Sequence, residues 1–378
     1  MLDEERKLQL LALSRIEDLK KSVNLKTLLS RFNNSPEEIF KQNASSLAAA
    51  SGMSFVLAQK LIASFDLAMK HAGKQMEFAA KNNFSSVTFL DEDYPANLLE
   101  CADFPPFLFY KGKNIFNDKK FLSVVGTRNA DDYGKQICRD FIKELAATIP
   151  GLCIVSGLAY GIDVCAHNAA LESGISTIAV MAGGLSYIYP KDHKQIASEI
   201  CDNGAVISEF DFEEPYFKTN FLQRNRIIAG FSVATIVVES AIRGGSLSTA
   251  NLASSYNRDV FAFPGRAGDK LSEGCNKLIR DNKAALITGI NDFLYFIPWE
   301  NPKTKENSKE NKTKEECKPF DLTDKERQLY DIIKQEKICH KDSLMLLYPK
   351  SEEVNSILLG LEFKEAIKSL PGNFYEAV

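Results

Sequence analysis

The sequence predicts an α/β protein with a doubly wound, Rossmann-like, mostly parallel sheet, preceded by a small helical domain and followed by a winged-helix-like domain. Between residues 107 and 290, short and nearly continuous apolar segments alternate with amphipathic stretches, as in a parallel sheet that helices cover on both faces. Residues before 85 show only the three- and four-residue apolar spacing of helices. After residue 320, three helical segments precede two strands joined by a Pro-Gly turn, which is the winged-helix pattern.

Length and composition agree with a folded protein of several domains. The chain has 378 residues, of which 45% are hydrophobic and 25% charged, and its formal net charge is −4. No segment approaches the ~18 uninterrupted apolar residues of a membrane helix, and the N-terminus is acidic where a signal peptide is basic. We therefore expect a cytoplasmic protein without a membrane partner. The eight cysteines form no CxxC pair, so we expect reduced thiols and no metal site.

Composition also sets the domain boundaries. Residues 301–319 consist almost entirely of Lys, Glu, Asn, Thr and Pro, and such a segment cannot bury enough surface to fold. The predicted domains are a helical SAM-like or helix-hairpin-helix domain at 1–85, an extended Rossmann-like domain at 86–298, a flexible linker at 299–319 and a winged-helix-like domain at 320–378. The predicted strands of the sheet are FLFYKG, FLSVVGT, CIVSG, STIAVMAGG, AVISEF, ATIVVES, DVFAFPG and ALITG.

Clusters of glycine and polar residues directly follow five of these predicted strands. Because the carboxyl ends of parallel strands meet at one edge of a sheet, the clusters predict a single broad crevice. Glycine lets the backbone approach an anion and present its amides, Ser156 and Ser246 are expected to add hydroxyl donors, and Arg128 adds a guanidinium suited to phosphate. The clusters begin at Gly126, Ser156, Ala182, Arg243 and Gly265.

A positively charged segment runs from Lys218 to Gly230 and contains no acid. Arg224 and Arg226 are two residues apart, so they cannot share one face of a helix. We expect one of them to reach the crevice and the other to form a structural ion pair. Glu239, at the end of a buried strand, is expected to pair with Arg224 or Arg226.

Other side chains near the crevice have structural or undecided interpretations. Asp163 is expected to cap a helix, and His167 and His193 are expected to be structural. Tyr187 and Tyr189 are candidates either for stacking on nucleobases, since every base offers a π-face, or for filling the interior of the domain.

Motifs for nucleotide cofactors and for catalysis are missing from the sequence. GTRNADDYG does not have the spacing of a GxGxxG fingerprint, and there is no GxxxxGK[ST] segment. GGSLS is not a GxSxG nucleophile elbow, and no Ser, His and acid combination can be named. A crevice without a catalytic set favours binding over catalysis, with no cofactor.

At these positions the sequence closely resembles the DNA-processing protein A (DprA/Smf) family. The segments that carry the resemblance are GTRNADDYG, SGLAYGIDVCAH, GGLSYIYPKDH, ISEF, FLQRNRIIAG, RGGSLSTA, VFAFPG and GCNKLIRDNKA, in that order, and they cover roughly residues 90–290. The resemblance implies a cytoplasmic, non-enzymatic protein that binds single-stranded DNA and dimerises through its Rossmann-like domain. It also implies loading of the RecA recombinase onto incoming DNA during natural transformation.

The resemblance and the crevice together give one predicted site. Arg128 and Lys191 would hold phosphates, the turns at Ser156 and Gly245 would supply amides, and the RNRII segment would line the groove. Asp163 and Glu239 are expected to give structural support, and no catalytic or metal-binding residue is predicted. The predicted DNA-binding residues are Gly126, Arg128, Ser156, Gly157, Gly161, Lys191, Arg224, Asn225, Arg226, Gly245 and Ser246.

Two other functions remain open at this point. One is a nucleotide phosphoribohydrolase resembling the lysine-decarboxylase-like family, although RGGSLSTAN lacks the glutamate of that family's PGGxGTxxE motif. The other is a mononucleotide-sensing regulator with the winged helix as its output. The third helix of the C-terminal domain carries Glu352, Glu353 and Glu362, which favours contact with protein over contact with DNA.

Overall fold

A computed structural model describes residues 3–19, 22–299, 322–336, 338–348, 353–364, 366–370 and 374–377. The chain divides into two compact units, Met1–Asn301 and Pro302–Val378. Apart from Trp299, the predicted linker at 299–319 lies outside the described residues. No helix in the described part of the chain is both long and apolar enough to cross a membrane.

Nine strands of the first unit form one sheet. They are β1 (Ser85–Thr88), β2 (Phe107–Gly112), β3 (Lys120–Val125), β4 (Leu152–Ser156), β5 (Ser176–Val180), β6 (Ala205–Ser208), β7 (Ala234–Val237), β8 (Asp259–Ala262) and β9 (Ala285–Leu286). Their order is β1-β2-β6-β5-β4-β3-β7-β8-β9. The β1–β2 and β2–β6 pairs are antiparallel, and every other neighbouring pair in this order is parallel. Each predicted strand segment forms a strand, so the doubly wound fold class is confirmed.

The winding direction reverses beside β3. This strand pairs in parallel with both β4 and β7. The chain moves outward from β3 to β4 on one side and from β7 to β8 on the other, so a crevice is expected between β3 and β7 at the carboxyl edge.

Helices cover both faces of the sheet, as the alternating side chains of β3 show. Phe121 and Val125 belong to the hydrophobic core under α9, α10 and α11, whereas Leu122 and Val124 belong to the core under α7, α8 and α13. These helices are α7 (Asp132–Thr148), α8 (Ile162–Glu172), α9 (Lys194–Asn203), α10 (Lys218–Phe231), α11 (Gly245–Ser255), α12 (Glu273–Arg280) and α13 (Ile290–Phe296).

The N-terminal segment is helical, and its helices are α1 (Glu4–Arg15), α2 (Ser22–Ser30), α3 (Pro36–Phe40), α4 (Ala44–Ser51) and α5 (Phe55–Lys81), followed after β1 by α6 (Ala96–Leu99). Gly52, with a φ of +76°, ends α4, and the Ser54 hydroxyl caps α5, which produces the predicted helical hairpin. Arg15 and His71 both bind the Asp211 carboxylate at 2.8 Å. Because these helices share one core with the sheet, the boundary predicted at residue 85 falls inside a compact unit.

The described segments of the second unit contain three helices, α14 (Asp324–Glu336), α15 (Lys341–Leu347) and α16 (Val354–Phe363). It also has a three-stranded sheet in the order β10-β12-β11, made of β10 (Ile338–His340), β11 (Ile367–Leu370) and β12 (Phe374–Ala377). One of the three helical segments predicted after residue 320 is CHKDSLMLLYP, which begins at Cys339. In the structure Cys339 and His340 instead pair with β12, and Cys339 is buried in the core. Glu352 lies outside the described residues, and Glu353 forms an ion pair with Lys325.

Candidate nucleic-acid interface

The predicted crevice is present at the carboxyl edge of the sheet, between β3 and β7. It is a cavity of about 350 Å³ bounded by the segments after β3 and β4, by α10 and by the first turns of α11. We call this cavity the crevice. The predicted site residues that line it are Gly126, Arg128, Arg224, Asn225, Gly245 and Ser246, together with Asp163.

Glycines allow the loops beneath the crevice to pack closely. A Cβ atom at Gly126 would overlap the Ile162 side chain, and one at Gly161 would overlap the backbone carbonyls of Thr127 and Arg128. Gly161 also has a φ of +78°, which is costly for other residues. Both glycines therefore join the loop after β3 to the start of α8.

The start of α11 offers backbone amides to the crevice. Gly244 is the N-cap residue and provides no side-chain hydrogen bond, and a Cβ atom on Gly245 would meet nothing within 4 Å. The first amides of a helix have no intrahelical acceptor and lie at the positive end of the helix dipole. This end of the crevice is therefore suited to an anion.

Arg128 lies over an aromatic ring at the opening of the crevice. Its guanidinium carbon is 4.7 Å from the centroid of the Phe221 ring, and its side chain is exposed. Lys218, one helical turn before Phe221 on α10, is also exposed and lines the crevice. Two cations and one ring thus face the same space. Neither Phe221 nor Lys218 is among the predicted DNA-binding residues, although their three-residue spacing at a helix start places them on one face.

Arg224 is buried and already has partners. Its Nη1 atom donates to the carbonyl oxygens of Gly157 at 2.7 Å and Val180 at 2.5 Å, and the Asp163 carboxylate is nearby. Burial lowers the pKa of Arg224 to about 10, and burial likewise raises the pKa of Asp163, against the effect of the nearby Arg224 charge. Arg224 is therefore the arginine of this pair that reaches the crevice, but it supports the crevice wall, and Arg128 is the exposed guanidinium.

Arg226 forms the structural ion pair, but its partner is Glu209 and not Glu239. Glu239 lies against Gly134 of α7, on the opposite face of the sheet from α10, so it cannot reach Arg224 or Arg226. The Glu239 carboxylate accepts a hydrogen bond from the Asp131 amide at 3.3 Å, and its backbone carbonyl accepts one from the Thr127 amide at 2.7 Å. The predicted pairing is wrong, although Glu239 does hold the loop after β3.

The predicted hydroxyl donors are engaged inside the protein. Ser156 is the last residue of β4 and is fully buried, and its hydroxyl donates to the Val124 carbonyl at 2.6 Å. The Ser246 hydroxyl donates to the Ser240 hydroxyl at 2.7 Å. Asn225 joins α10 to α11 through a 3.4 Å hydrogen bond to the Gly245 carbonyl. The prediction that Ser156 donates to a ligand is wrong because the strand end buries its side chain.

Four aromatic rings extend from the crevice along the protein surface. The Tyr189 centroid lies 6.0 Å from that of Phe221 and 5.1 Å from that of Tyr216, and Tyr187 lies 5.3 Å beyond Tyr216. Tyr187 and Tyr189 are 42% and 44% exposed, so neither fills the interior. We call these four residues the aromatic row. Tyr216 was not singled out from the sequence, because its position depends on the loop between β6 and α10.

The family of the chain follows from its central region. Residues 85–298 match the family described as DNA recombination-mediator protein A, and this range is more than half of the 378 residues. The chain belongs to this family. The matched range contains all residues of the crevice and of the aromatic row.

Relatives and solved structures of this family agree with the match. A DNA processing protein DprA from Streptococcus pneumoniae is 40% identical over 230 residues, which are 61% of this chain and 78% of that protein. The X-ray structure of DNA processing protein A from Streptococcus pneumoniae has a TM-score of 0.65 at 35% identity and covers 78% of this chain and 98% of that one. A structure of DNA processing protein A from Helicobacter pylori, reported for its single-stranded DNA binding mode, has a TM-score of 0.52 at 30% identity and covers 58% of this chain and 97% of that one.

Five of the eleven predicted DNA-binding residues do not line the crevice, namely Ser156, Gly157, Gly161, Lys191 and Arg226. Gly157 lines a small recess that Arg128, Tyr189 and Phe221 share, and a Cβ atom there would overlap the Arg224 guanidinium. Lys191 is exposed and lines a separate cavity at the other end of the aromatic row.

The histidines near the crevice have structural roles, as predicted. His167 is fully buried and shares a 2.7 Å hydrogen bond with the Thr177 hydroxyl, and burial lowers its pKa to about 3. His193 is also buried and bonds the Leu158 carbonyl at 2.7 Å. Across residues 3–19 and 22–299 and the described segments of the second unit, no three His, Cys, Asp or Glu side chains are grouped as metal ligands.

Proposed function

We propose that this protein binds single-stranded DNA along the crevice and acts as a recombination mediator without altering the DNA. The observation that carries the proposal is the exposed Arg128 guanidinium above Phe221, next to the uncapped start of α11. A phosphate would bind Arg128, Lys218 and the helix amides, while the neighbouring base would stack on Phe221.

A single strand fits this site better than a duplex does. The aromatic row offers ring faces, and only unpaired bases can be turned out to stack on them. The crevice of about 350 Å³ is at the lower end of the range for small-ligand pockets, and it suits one nucleotide but not the width of a duplex. The cations contact the backbone and not base edges, so binding should depend little on DNA sequence.

The proposed cellular role follows the family. The chain belongs to a family described as recombination mediators, which supports a role in protecting incoming DNA and loading RecA in the cytoplasm during natural transformation. An assay of RecA filament assembly on DNA coated with single-strand-binding protein tests this role. Addition of this protein should shorten the lag before filaments form, and an unchanged lag would count against RecA loading.

We also propose a homodimer formed through the Rossmann-like domain. Strand β9 is at the edge of the sheet and has only two residues, and next to it Tyr295 is 83% exposed, Phe296 49% and Leu286 45%. A second copy of the chain would cover these apolar side chains and the open strand edge. Light scattering should give twice the mass of the chain, and Tyr295→Glu should shift the protein to the monomer.

The DNA-binding proposal is tested with the full chain and labelled oligonucleotides at two salt concentrations. Wild-type protein should bind single strands far more tightly than duplexes, with an affinity that falls steeply with salt. Arg128→Ala should lower single-strand affinity by roughly 10- to 100-fold, because a hydrogen bond to a charged group contributes about 1.5–3 kcal/mol. Arg31→Ala removes the same charge from an exposed site outside the crevice and is the matched control.

Two results would contradict this proposal. One is equal affinity of the wild-type protein for single strands and duplexes. The other is an Arg128→Ala protein that binds single strands as the Arg31→Ala control does, with the same salt dependence.

A further inference from the structure

A second cavity lies at the far end of the aromatic row, between α5, β2 and α9. Its volume is about 570 Å³, which is within the ~300–1,000 Å³ range of small-ligand sites. Phe78, Phe84, Leu185, Ile188 and Val206 give it apolar walls.

Three lysines surround this cavity, and among the residues that the structure describes no carboxylate lines it. Lys111, Lys191 and Lys194 are all exposed, and none of them forms an ion pair with any residue that the structure describes. The Lys111 ammonium lies 5.3 Å from the Phe84 ring centroid. We call this site the lysine cavity.

The acid nearest in sequence to these lysines is held elsewhere. Asp192 accepts a 2.8 Å hydrogen bond from the Tyr160 hydroxyl, and Tyr160 lines the recess on the crevice side. Lys191 and Lys194 are three residues apart across the start of α9, which places them on the same side of that turn. The cavity therefore combines unbalanced positive charge with an apolar interior.

The aromatic row connects the lysine cavity to the crevice. Tyr187 lines the lysine cavity, and Tyr189 lines the recess that Arg128 and Phe221 share. Tyr216 packs between them, with ring centroids 5.3 Å from Tyr187 and 5.1 Å from Tyr189. A nucleic-acid strand that leaves the crevice along these rings reaches the three lysines.

We propose that the lysine cavity is a second nucleotide site, which takes a base against its apolar wall and the attached phosphate on Lys111, Lys191 and Lys194. Lysines are point charges on flexible stems, and they suit backbone phosphates without demanding one geometry. This inference rests on the proposed function, because it takes the occupant to be a later nucleotide of the strand that is held at Arg128. A free mononucleotide has the same chemistry and is the alternative source.

The test uses the full chain with oligothymidylates of about four and about 16 nucleotides, which span the usual range of single-strand site sizes. The triple variant Lys111→Gln/Lys191→Gln/Lys194→Gln should lose about 10- to 30-fold in affinity for the long strand. Its salt slope should fall by about two, since each phosphate contact contributes roughly 0.7. Affinity for the short strand should change less than about twofold, because the crevice alone holds it.

A matched control carries the same charge change at Lys143, Lys277 and Lys283, which are exposed and line neither cavity. Circular dichroism confirms folding of both triple variants, and Lys191→Gln alone serves as a milder variant with a smaller loss of the same kind. In a parallel arm, thymidine monophosphate is tested for stabilising the wild-type protein and both triple variants against heat.

The outcomes distinguish a DNA strand from a free mononucleotide as the occupant of the lysine cavity, and they test the second site separately from the proposed function. Loss of long-strand affinity supports the strand, whereas loss of mononucleotide stabilisation with intact strand binding supports a free nucleotide in the same site. If the lysine variant matches the control in both arms while Arg128→Ala still abolishes short-strand binding, the second site is overturned and the proposed function stands. If the wild-type protein binds neither strand, the proposed function fails, and the mononucleotide arm alone decides the second site.

Discussion

The crevice and the lysine cavity lie at opposite ends of the aromatic row and are built in different ways. In the crevice, the loops are fixed by close glycine packing at Gly126 and Gly161 and by the buried Arg224 guanidinium. In the lysine cavity, the charges are on exposed side chains around an apolar wall. The comparison indicates that the crevice is preorganised, whereas the lysine cavity acts mainly through salt-sensitive attraction.

The comparison also separates two uses of positive charge. Arg224 and Arg226 both lie on α10, and both bind partners inside the protein. Arg224 donates to backbone carbonyls, and Arg226 forms an ion pair with Glu209. Arg128 and Lys218 remain exposed. Substitutions of the first pair should therefore affect folding, and substitutions of the second pair should affect binding.

The largest expected effect is on stability, at Arg224. Arg224→Ala should lower the free energy of unfolding by about 3–5 kcal/mol, because it leaves the buried Gly157 and Val180 carbonyls without their donor and removes the positive charge near the buried Asp163 carboxylate. Urea denaturation of the full chain measures this loss. Lys191→Ala, from the exposed lysine cavity, should change stability by less than about 0.5 kcal/mol. Equal effects of the two substitutions would remove the distinction between the two regions.

A smaller effect is expected on binding, at Phe221. Phe221→Ala should weaken single-strand affinity by about 1–3 kcal/mol, which is the usual contribution of one stacked base. Phe221→Trp keeps a ring beneath Arg128 and should retain most of the affinity. Fluorescence anisotropy with short and long strands measures both variants. A Phe221→Ala protein with wild-type affinity would show that the ring only supports Arg128.

The smallest effect concerns pH and Glu239, which holds the loop after β3. Burial, with Asp131 nearby, raises the pKa of Glu239 from 4.5 to about 7. Between these two values the folded protein keeps a proton that the unfolded chain has released, so this group lowers stability as pH rises through that window. Glu239→Gln keeps an acceptor for the Asp131 amide and loses the penalty.

Glu239→Gln should therefore equal the wild type near pH 4.5 and exceed it at pH 8 by on the order of 1 kcal/mol, after allowance for solvent screening. Thermal denaturation across this pH range measures the difference. A difference that is the same at both ends of the range would show that Glu239 does not titrate as described.

The sequence predicted most of the fold because buried strands leave a strong pattern. Apolar segments such as CIVSG and STIAVM are buried on both faces. Three of the five predicted clusters, those that begin at Gly126, Ser156 and Arg243, contribute residues to the crevice, whereas the clusters at Ala182 and Gly265 do not line it.

Arg128 was predicted as a phosphate ligand and is exposed at the crevice. The burial of Arg224 was not predictable, because the face of α10 that meets the sheet is decided by packing. The burial of Ser156 and the distance of Glu239 from Arg226 were missed because the sequence does not show which face of the sheet a side chain at a strand end meets.

Other features depend on contacts that a single segment does not contain. Strand β10 exists because Ile338–His340 pairs with Phe374–Glu376, which is distant in sequence. The aromatic row needs Tyr216 between Tyr187 and Tyr189, and the loops that carry them meet only in the folded protein. Of the residues missing from the predicted site, Phe221 was the easiest to predict from the sequence, since it lies one turn after Lys218 in a segment already identified as positively charged.

Hydrogen exchange of the full chain with and without a single strand of about 16 nucleotides tests the central claim most directly. The account predicts slower exchange in peptides covering residues 126–130, 216–226 and 244–249, with a smaller effect at 185–194. Protection confined to the α7 and α8 face, or to residues 322–377, with no change around Arg128 and Gly245, would contradict it.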